Sequence, residues 1–379
     1  DDTNVCTVAS TYTDAYGNGV GETQDTANYE VETQAPSVSS ISLSDTTLIE
    51  GETATLTIVF SEAVAAFASS ADVTCPNGNL ATMTSSDDTT WTGTFTPTAE
   101  TSDTTNTCSV ATSYTDTAGN AGAAGTSANY IVDGVDPEIT SVSMDDTALK
   151  SGETATLTIV FTEAVDAFAS DDDVTCASGS LAAMSSSDDI TWTGTFTPTA
   201  NTEDNTNICS VASTYTDAYG NGVGEAQDTA NYEVETQAPS VSSISMDDTA
   251  LKSGETATLT IVFSEAVTGF ASNDDVSCAS GSLAAMTSGN SITWTGTFTP
   301  TANTEDSSNT CSVTASSYTD SAGNNGAAGT SANYIVDGVD PTMTISSSTV
   351  SSGDTSNDAS IALTFTSSES TTDFASGDV

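Results

Sequence analysis

Apolar residues fall at every second position in short runs along this chain, the spacing of strands with one buried face. The clearest run is 154–161, where Ala155, Leu157, Ile159 and Phe161 alternate with Thr154, Thr156 and Thr158. Around it the pattern predicts strands over 139–144, 173–176, 181–184 and 191–197, the last with Trp192, Gly194 and Phe196 turned inward between threonines. A sixth strand opens the stretch from Asn207 to Asn221, and a seventh begins over 232–234. No stripe of period 3.6 occurs, and the Ser and Thr that dominate the runs compete with helical backbone bonding. At most one helical turn is expected beside Phe168 and Phe270, between the second and third strands.

This pattern repeats. Pro36, Pro137, Pro239 and Pro341 are spaced by 101, 102 and 102 residues, and Trp91, Trp192 and Trp294 by 101 and 102. About seven short strands per hundred residues, with turn residues between them, fit an immunoglobulin-like sandwich. The expected fold is therefore all-β: tandem immunoglobulin-like β-sandwich domains in an extended array. Three complete domains are expected at 36–136, 137–237 and 238–340. Residues 1–35 read as the last two strands of a preceding domain, and 341–379 as the head of a following one. The repeats also alternate. Glu-Thr-Gln-Ala-Pro follows Tyr29 and Tyr232, whereas Asp-Gly-Val-Asp-Pro follows Tyr130 and Tyr334, so the higher period is two domains.

Composition narrows the function. The chain has 53 Asp and Glu against 2 Lys and Arg, no His, and a formal charge of −51. Such a surface repels nucleic acid and anionic membranes, and it repels itself unless cations screen it. No apolar run is long enough to cross a bilayer. The chain starts without Met and inside a repeat, and it reads as a segment of something longer. Without His and with no nucleophile motif, only carboxylates remain for acid–base work, and no enzyme is expected. Lys150 and Lys252 stand at matching places in the hairpin after the first strand and read as loop lysines.

Each complete domain carries two cysteines, one on the third strand and one on the sixth, which are neighbours in an immunoglobulin-like sheet. The natural pairs are Cys75 with Cys108, Cys176 with Cys209 and Cys278 with Cys311, with free buried thiols as the competing reading. Disulfides point to an oxidising, extracellular setting. Between Cys311 and Asp320 there is one residue more than between Cys209 and Asp217, which predicts a β-bulge between Val313 and Tyr318.

Chain direction decides which loops share an end of each sandwich. At the entry to the 137–237 domain it gathers Glu163 with Asp217 and Asn221 of the Asp-x-x-Gly-Asn turn, and the incoming linker adds Asp133 and Asp136. The equivalent sets are Glu62, Asp116 and Asn120 in the preceding domain, and Glu265, Asp320 and Asn324 in the following one. Asp337 and Asp340 with Glu369 form the next. Glu32 and Glu235 replace the linker Asp pair at two junctions, which are expected to bind differently. Asp72, Asp173 and Asp275 are further candidates to point into these sites. Calcium takes six to eight oxygens of this kind, and Ca2+ is the expected ligand. A solvated acidic turn is the alternative, since Asp and Asn also serve turn geometry.

These residues together carry a family resemblance. Ala-Pro-Ser-Val-Ser-Ser-Ile-Ser (238–245), Gly-Glu-Thr-Ala-Thr-Leu-Thr-Ile-Val-Phe-Ser-Glu-Ala-Val (254–267), Trp-Thr-Gly-Thr-Phe-Thr-Pro (294–300) and Tyr-Thr-Asp-Ser-Ala-Gly-Asn (318–324) resemble bacterial immunoglobulin-like repeats. The resemblance implies an extender module of a giant cell-surface adhesin: a calcium-rigidified, extracellular stalk whose partners are its own neighbouring domains. The regular cysteine pair and the two-domain alternation depart from such repeats. They make a self-assembling extracellular filament, with other copies of the chain as partners, the alternative.

Overall fold

The computed structural model describes residues 1, 3–19, 22–166, 168–222 and 224–379, with Asn273 by its backbone only. In the central unit the strands are β1 Ile139–Met144, β2 Ala148–Lys150, β3 Ala155–Phe161 and β4 Val165–Asp166. The single-turn helix α1, Ser170–Asp173, leads into β5 Val174–Cys176 and β6 Gly179–Leu181. Then come β7 Thr191–Pro198, β8 Glu203–Asn207, β9 Cys209–Val211, β10 Thr216–Asp217, β11 Gln227–Asp228 and β12 Tyr232–Glu235.

One layer is an antiparallel sheet in the order β1-β3-β7-β6. The facing layer is made of two short ladders, β2-β12-β8 and β5-β9-β11, with β2 running parallel to β12. The alternation in β3 does what the pattern requires: Ala155, Leu157, Ile159 and Phe161 are buried between the layers. Phe196 from β7 and Tyr232 from β12 meet across the gap, ring centroids 5.3 Å apart and edge to face. Gly179 has to be glycine, because a Cβ there would stand 2.1 Å from the Phe196 ring. Among the described residues three such cores recur along the chain, each with its own set of fifteen buried apolar residues and none shared.

Cys176 lies directly opposite Cys209 in the β5–β9 ladder, and the two are bonded. Cys75–Cys108 and Cys278–Cys311 form the matching bridges, each over a sequence separation of 33, and Cys6 is free and exposed. The bridge thus ties neighbouring strands of one layer.

Four features differ from the sequence pattern. β8 and β2 are strands that hydropathy does not show, and β6 ends where the pattern places its start. The helical turn exists at Ser170–Asp173 and Ser272–Asp275, just after the expected phenylalanines. The extra residue before Tyr318 forms no bulge in the ladder. It is taken up in a turn after Cys311–Val313, with Ser316 in the left-handed region at φ 61°, so Tyr318 stays buried at 1% exposure.

Candidate metal centre

The Asp-x-x-Gly-Asn turn is built by its own aspartate. Asp217 Oδ1 accepts the backbone N–H groups of Tyr219, Gly220 and Asn221 at 2.8, 2.7 and 2.9 Å. Its Oδ2 accepts Asn221 Nδ2 at 2.7 Å. Gly220 sits at φ 90°, a conformation only glycine takes freely, which is why the motif has glycine there. β10 pairs with β4 so that Asp217 faces Val165, and this ladder brings Glu163, two residues earlier, to the same end of the sandwich. Asp133 arrives from the preceding unit as the last residue of the strand Tyr130–Asp133.

The result is a junction where one oxygen each of Asp133, Glu163 and Asp217 lies within 4.8 Å of the others. Asp133 and Asp217 are each only 4% exposed, and Glu163 is half-buried. Glu163 Oε1 is shut off from solvent and has no hydrogen-bond partner. Burial, then the charges of Asp133, Asp217 and Asp136, pushes the Glu163 carboxyl above its ordinary value. Burial likewise raises Asp133, with Asp217 adding to the effect. Asp136 is exposed but lies over the turn, its Oδ1 3.1 Å from where a Cβ on Gly222 would stand. Three acids, one with an orphaned oxygen and no basic group among the residues that shift them, form a site short of positive charge.

The other sets come together differently. Asp116 accepts Asn120 N at 2.8 Å and Asn120 Nδ2 at 2.7 Å, and those bonds hold its carboxyl below the usual range. Glu62 is half-buried. Asp320 organises its turn in the same way, accepting Gly323 N at 2.7 Å and Asn324 Nδ2 at 2.8 Å. Burial, then the charges of Asp320, Glu235 and Glu203, raises Glu265. Asp337, Asp340 and Glu369 line one cavity of about 340 Å³ together with Lys252. Among the described residues, the Asp133, Glu163 and Asp217 group alone brings three carboxylates into ligating distance.

Asp72, Asp173 and Asp275 turn inward to close their own single-turn helices. Their Oδ2 atoms accept the N–H of Ala68, Ala169 and Ala271 at 2.7, 2.7 and 2.6 Å, and Ser113 and Thr214 donate hydroxyls to the first two. They are buried capping residues, not members of the junction sites. What the sequence reading missed is the hairpin of the preceding unit. Ser151 N donates to Asn324 Oδ1 at 2.8 Å, across 173 residues, and Lys150 Nζ lies 3.4 Å from the Cβ position of Gly323. The signal was available in the chain direction, since β2 runs parallel to β12 and so ends at the exit of the unit.

No curated protein sequence matches the chain. Among solved structures, an adhesin of Escherichia coli, FdeC, is 15% identical, covering 79% of this chain and 96% of its own, with a TM-score of 0.33. InvD of Yersinia pseudotuberculosis is 14% identical over 79% of this chain and 98% of its own, with a TM-score of 0.34. The titin I-band fragment I67–I69 is 12% identical over 81% and 99%, with a TM-score of 0.38. The sequence profile of the bacterial Ig-like domain matches three times in succession, at residues 32–132, 133–234 and 235–336. Modules of this kind are structural or binding units and not enzymes, and this chain belongs to the bacterial Ig-like domain family, three copies in tandem.

Proposed function

We propose that the chain is a stalk segment of a large bacterial surface adhesin, built from sandwich domains at 36–136, 137–237 and 238–340. Each domain is stapled by its disulfide, and calcium stiffens the joints. One observation carries the metal reading: Glu163 Oε1 is buried without a partner beside two further buried carboxylates. No basic group is among the described residues that shift these carboxyls, whereas a hard cation with oxygen preference satisfies all three groups at once. Asp133, Glu163 and Asp217 would hold the ion, with Asp136 and the Asn221 side chain at its edge. The ion would neutralise the repulsion that otherwise drives the two units apart. The sets at Glu62, Asp116 and Asn120, at Glu265, Asp320 and Asn324, and at Asp337, Asp340 and Glu369 are weaker or different members of the series. In this role the segment acts as a spacer outside the cell, its partners being its own neighbouring units.

Isothermal calorimetry of the full chain against Ca2+ and Mg2+, with Glu163→Gln beside it, tests the proposal. Calcium heat that is strongly reduced in the variant is expected. A chain that takes up no calcium at millimolar concentration overturns the metal reading.

A further inference from the structure

Asp133 and Glu235 end equivalent strands, Tyr130–Asp133 and Tyr232–Glu235, so they occupy the same place at successive junctions. The junctions are nevertheless closed by different means. At the first, three carboxylates converge, and the turn residue Asn221 bonds only within its own turn among the described residues. At the second, the equivalent Asn324 reaches out of its unit in two directions. Its Nδ2 donates to the backbone carbonyl of Glu235 at 2.8 Å, and its Oδ1 accepts Ser151 N at 2.8 Å. Asn324 is 3% exposed, so both bonds are sheltered from water. The junction before the 36–136 unit repeats the first half of this latch, with Asn120 Nδ2 donating to the carbonyl of Glu32 at 3.3 Å.

We infer that the joints alternate between two kinds: ion-dependent where the linker reads Asp-Gly-Val-Asp-Pro, and latched by an asparagine amide where it reads Glu-Thr-Gln-Ala-Pro. The two-unit period of the linkers is then the period of joint chemistry. The ion-dependent half rests on the calcium reading above, and the latch rests on hydrogen bonds alone. Where Asp133 projects its carboxylate into the junction, the amide of the turn asparagine stays on Asp217. Where glutamate takes that place, the amide keeps its bond to the turn aspartate, Asp320, and also reaches the backbone carbonyl of Glu235, and the hairpin N–H of Ser151 completes the clasp. Lys150, the cross-strand neighbour of Glu235, sets an ammonium over the turn that carries Asp320. The chain without calcium is then a series of two-unit rods hinged at every second joint.

The test uses the full chain with bio-orthogonal spin labels in two pairs, one across each junction, and distance distributions read with calcium and with chelator. Chelation is expected to broaden the distribution across the Asp133 junction and to leave the Glu235 junction unchanged. Asn324→Ala should broaden the Glu235 junction with or without calcium and leave the other alone. Ser151→Pro is the second variant. Ser151 precedes Gly152 at φ 84°, and Glu153 N bonds to Lys150 O at 3.2 Å, a turn that takes proline at this place and loses only the donor to Asn324. It should loosen the same junction without lowering the melting temperature of its unit. Broadening of both junctions on chelation overturns the alternation while leaving the calcium reading standing. No broadening of either in a chain that binds calcium overturns the alternation, and no broadening with no calcium uptake overturns both. A Glu235 junction unmoved by either variant overturns the latch.

Discussion

A single substitution can separate a buried hydrogen bond from the backbone turn that delivers it. In the unit stapled by Cys75–Cys108, Asn77, at φ 55°, donates from Nδ2 to Asn106 Oδ1 at 2.7 Å and to Asp103 Oδ2 at 2.8 Å. The next two units place serine there, Ser178 at φ 52° and Ser280 at φ 54°. Each serine hydroxyl reaches the aspartate, Asp204 or Asp306, at 3.0 Å, but not the asparagine. Asn207 and Asn309 are consequently left 1% exposed with Oδ1 unpaired, although Asn207 spends its backbone N–H on Asn231 and its amide on Asp204 and Tyr232. An unsatisfied buried acceptor costs about 1–3 kcal/mol. Asparagine also accepts the left-handed region more readily than serine does. Ser178→Asn should therefore stabilise its unit by about 1–2 kcal/mol, which for a domain of this size is about 4–8 °C of melting temperature per kcal/mol. Differential scanning calorimetry of the full chain reads this as a shift of one transition, and Asn77→Ser should lower another by a similar amount. Ser178→Gly is the control, since glycine relaxes the backbone and offers no donor. If Ser178→Asn gains no more than Ser178→Gly, a buried water already serves Asn207 and the reasoning fails.

The junction gives two further predictions. Glu163→Gln should weaken calcium binding by about tenfold, near 1.4 kcal/mol, yet relieve repulsion, so that in chelator the variant's junction is tighter than the native one; looser in both conditions would contradict the charge argument. The pH response follows from raised carboxyls. Asp133 and Glu163 lie above their ordinary 3.8 and 4.5 when the junction is closed, so the closed state binds more protons than the open one, and closure weakens as pH rises from those values through the raised ones. Without calcium, acidification toward that window should narrow the spin-label distribution across the junction, and with calcium the same acidification should expel the ion. For the staple, Cys176→Ala with Cys209→Ala opens a loop of sequence separation 33 and should cost its unit about 3–4 kcal/mol. That loss should appear in the melting of the unit and not in the chelator response of the junctions.

The sandwich core was legible because its strands alternate threonine with Ala, Leu, Ile and Phe, a pattern that reads the same in sequence and in space. The strand Glu203–Asn207 was not, since Glu-Asp-Asn-Thr-Asn holds no apolar residue and is fixed by pairing with Tyr232–Glu235. Ala148–Lys150 escaped for another reason: its partner runs parallel and lies more than eighty residues away, a pairing that no local pattern records. Chain direction was enough to bring Glu163 to Asp217 and Asp133. It misled at Asp72, Asp173 and Asp275, because a carboxylate that closes a helical turn and one that faces a junction are the same residue type at the same loop. Only the hydrogen bonds to Ala68, Ala169 and Ala271 tell them apart.

The charge of −51 suggests a chain held straight by repulsion alone, and magnitude argues against it. Under physiological salt charges are screened over about 8 Å, whereas a hundred-residue domain has a radius of gyration of about 13 Å. Successive junctions therefore hardly feel one another, and long-range repulsion cannot set the bend between units. Within one junction the case reverses. Oxygens of Asp133, Glu163 and Asp217 that meet within 4.8 Å lie inside the screening length, so their repulsion survives salt that erases the rest. Added sodium chloride should then leave the open junction open, while calcium at far lower concentration closes it. In the proposed stalk, stiffness is a local property of each joint, set by whether an ion or an asparagine occupies it.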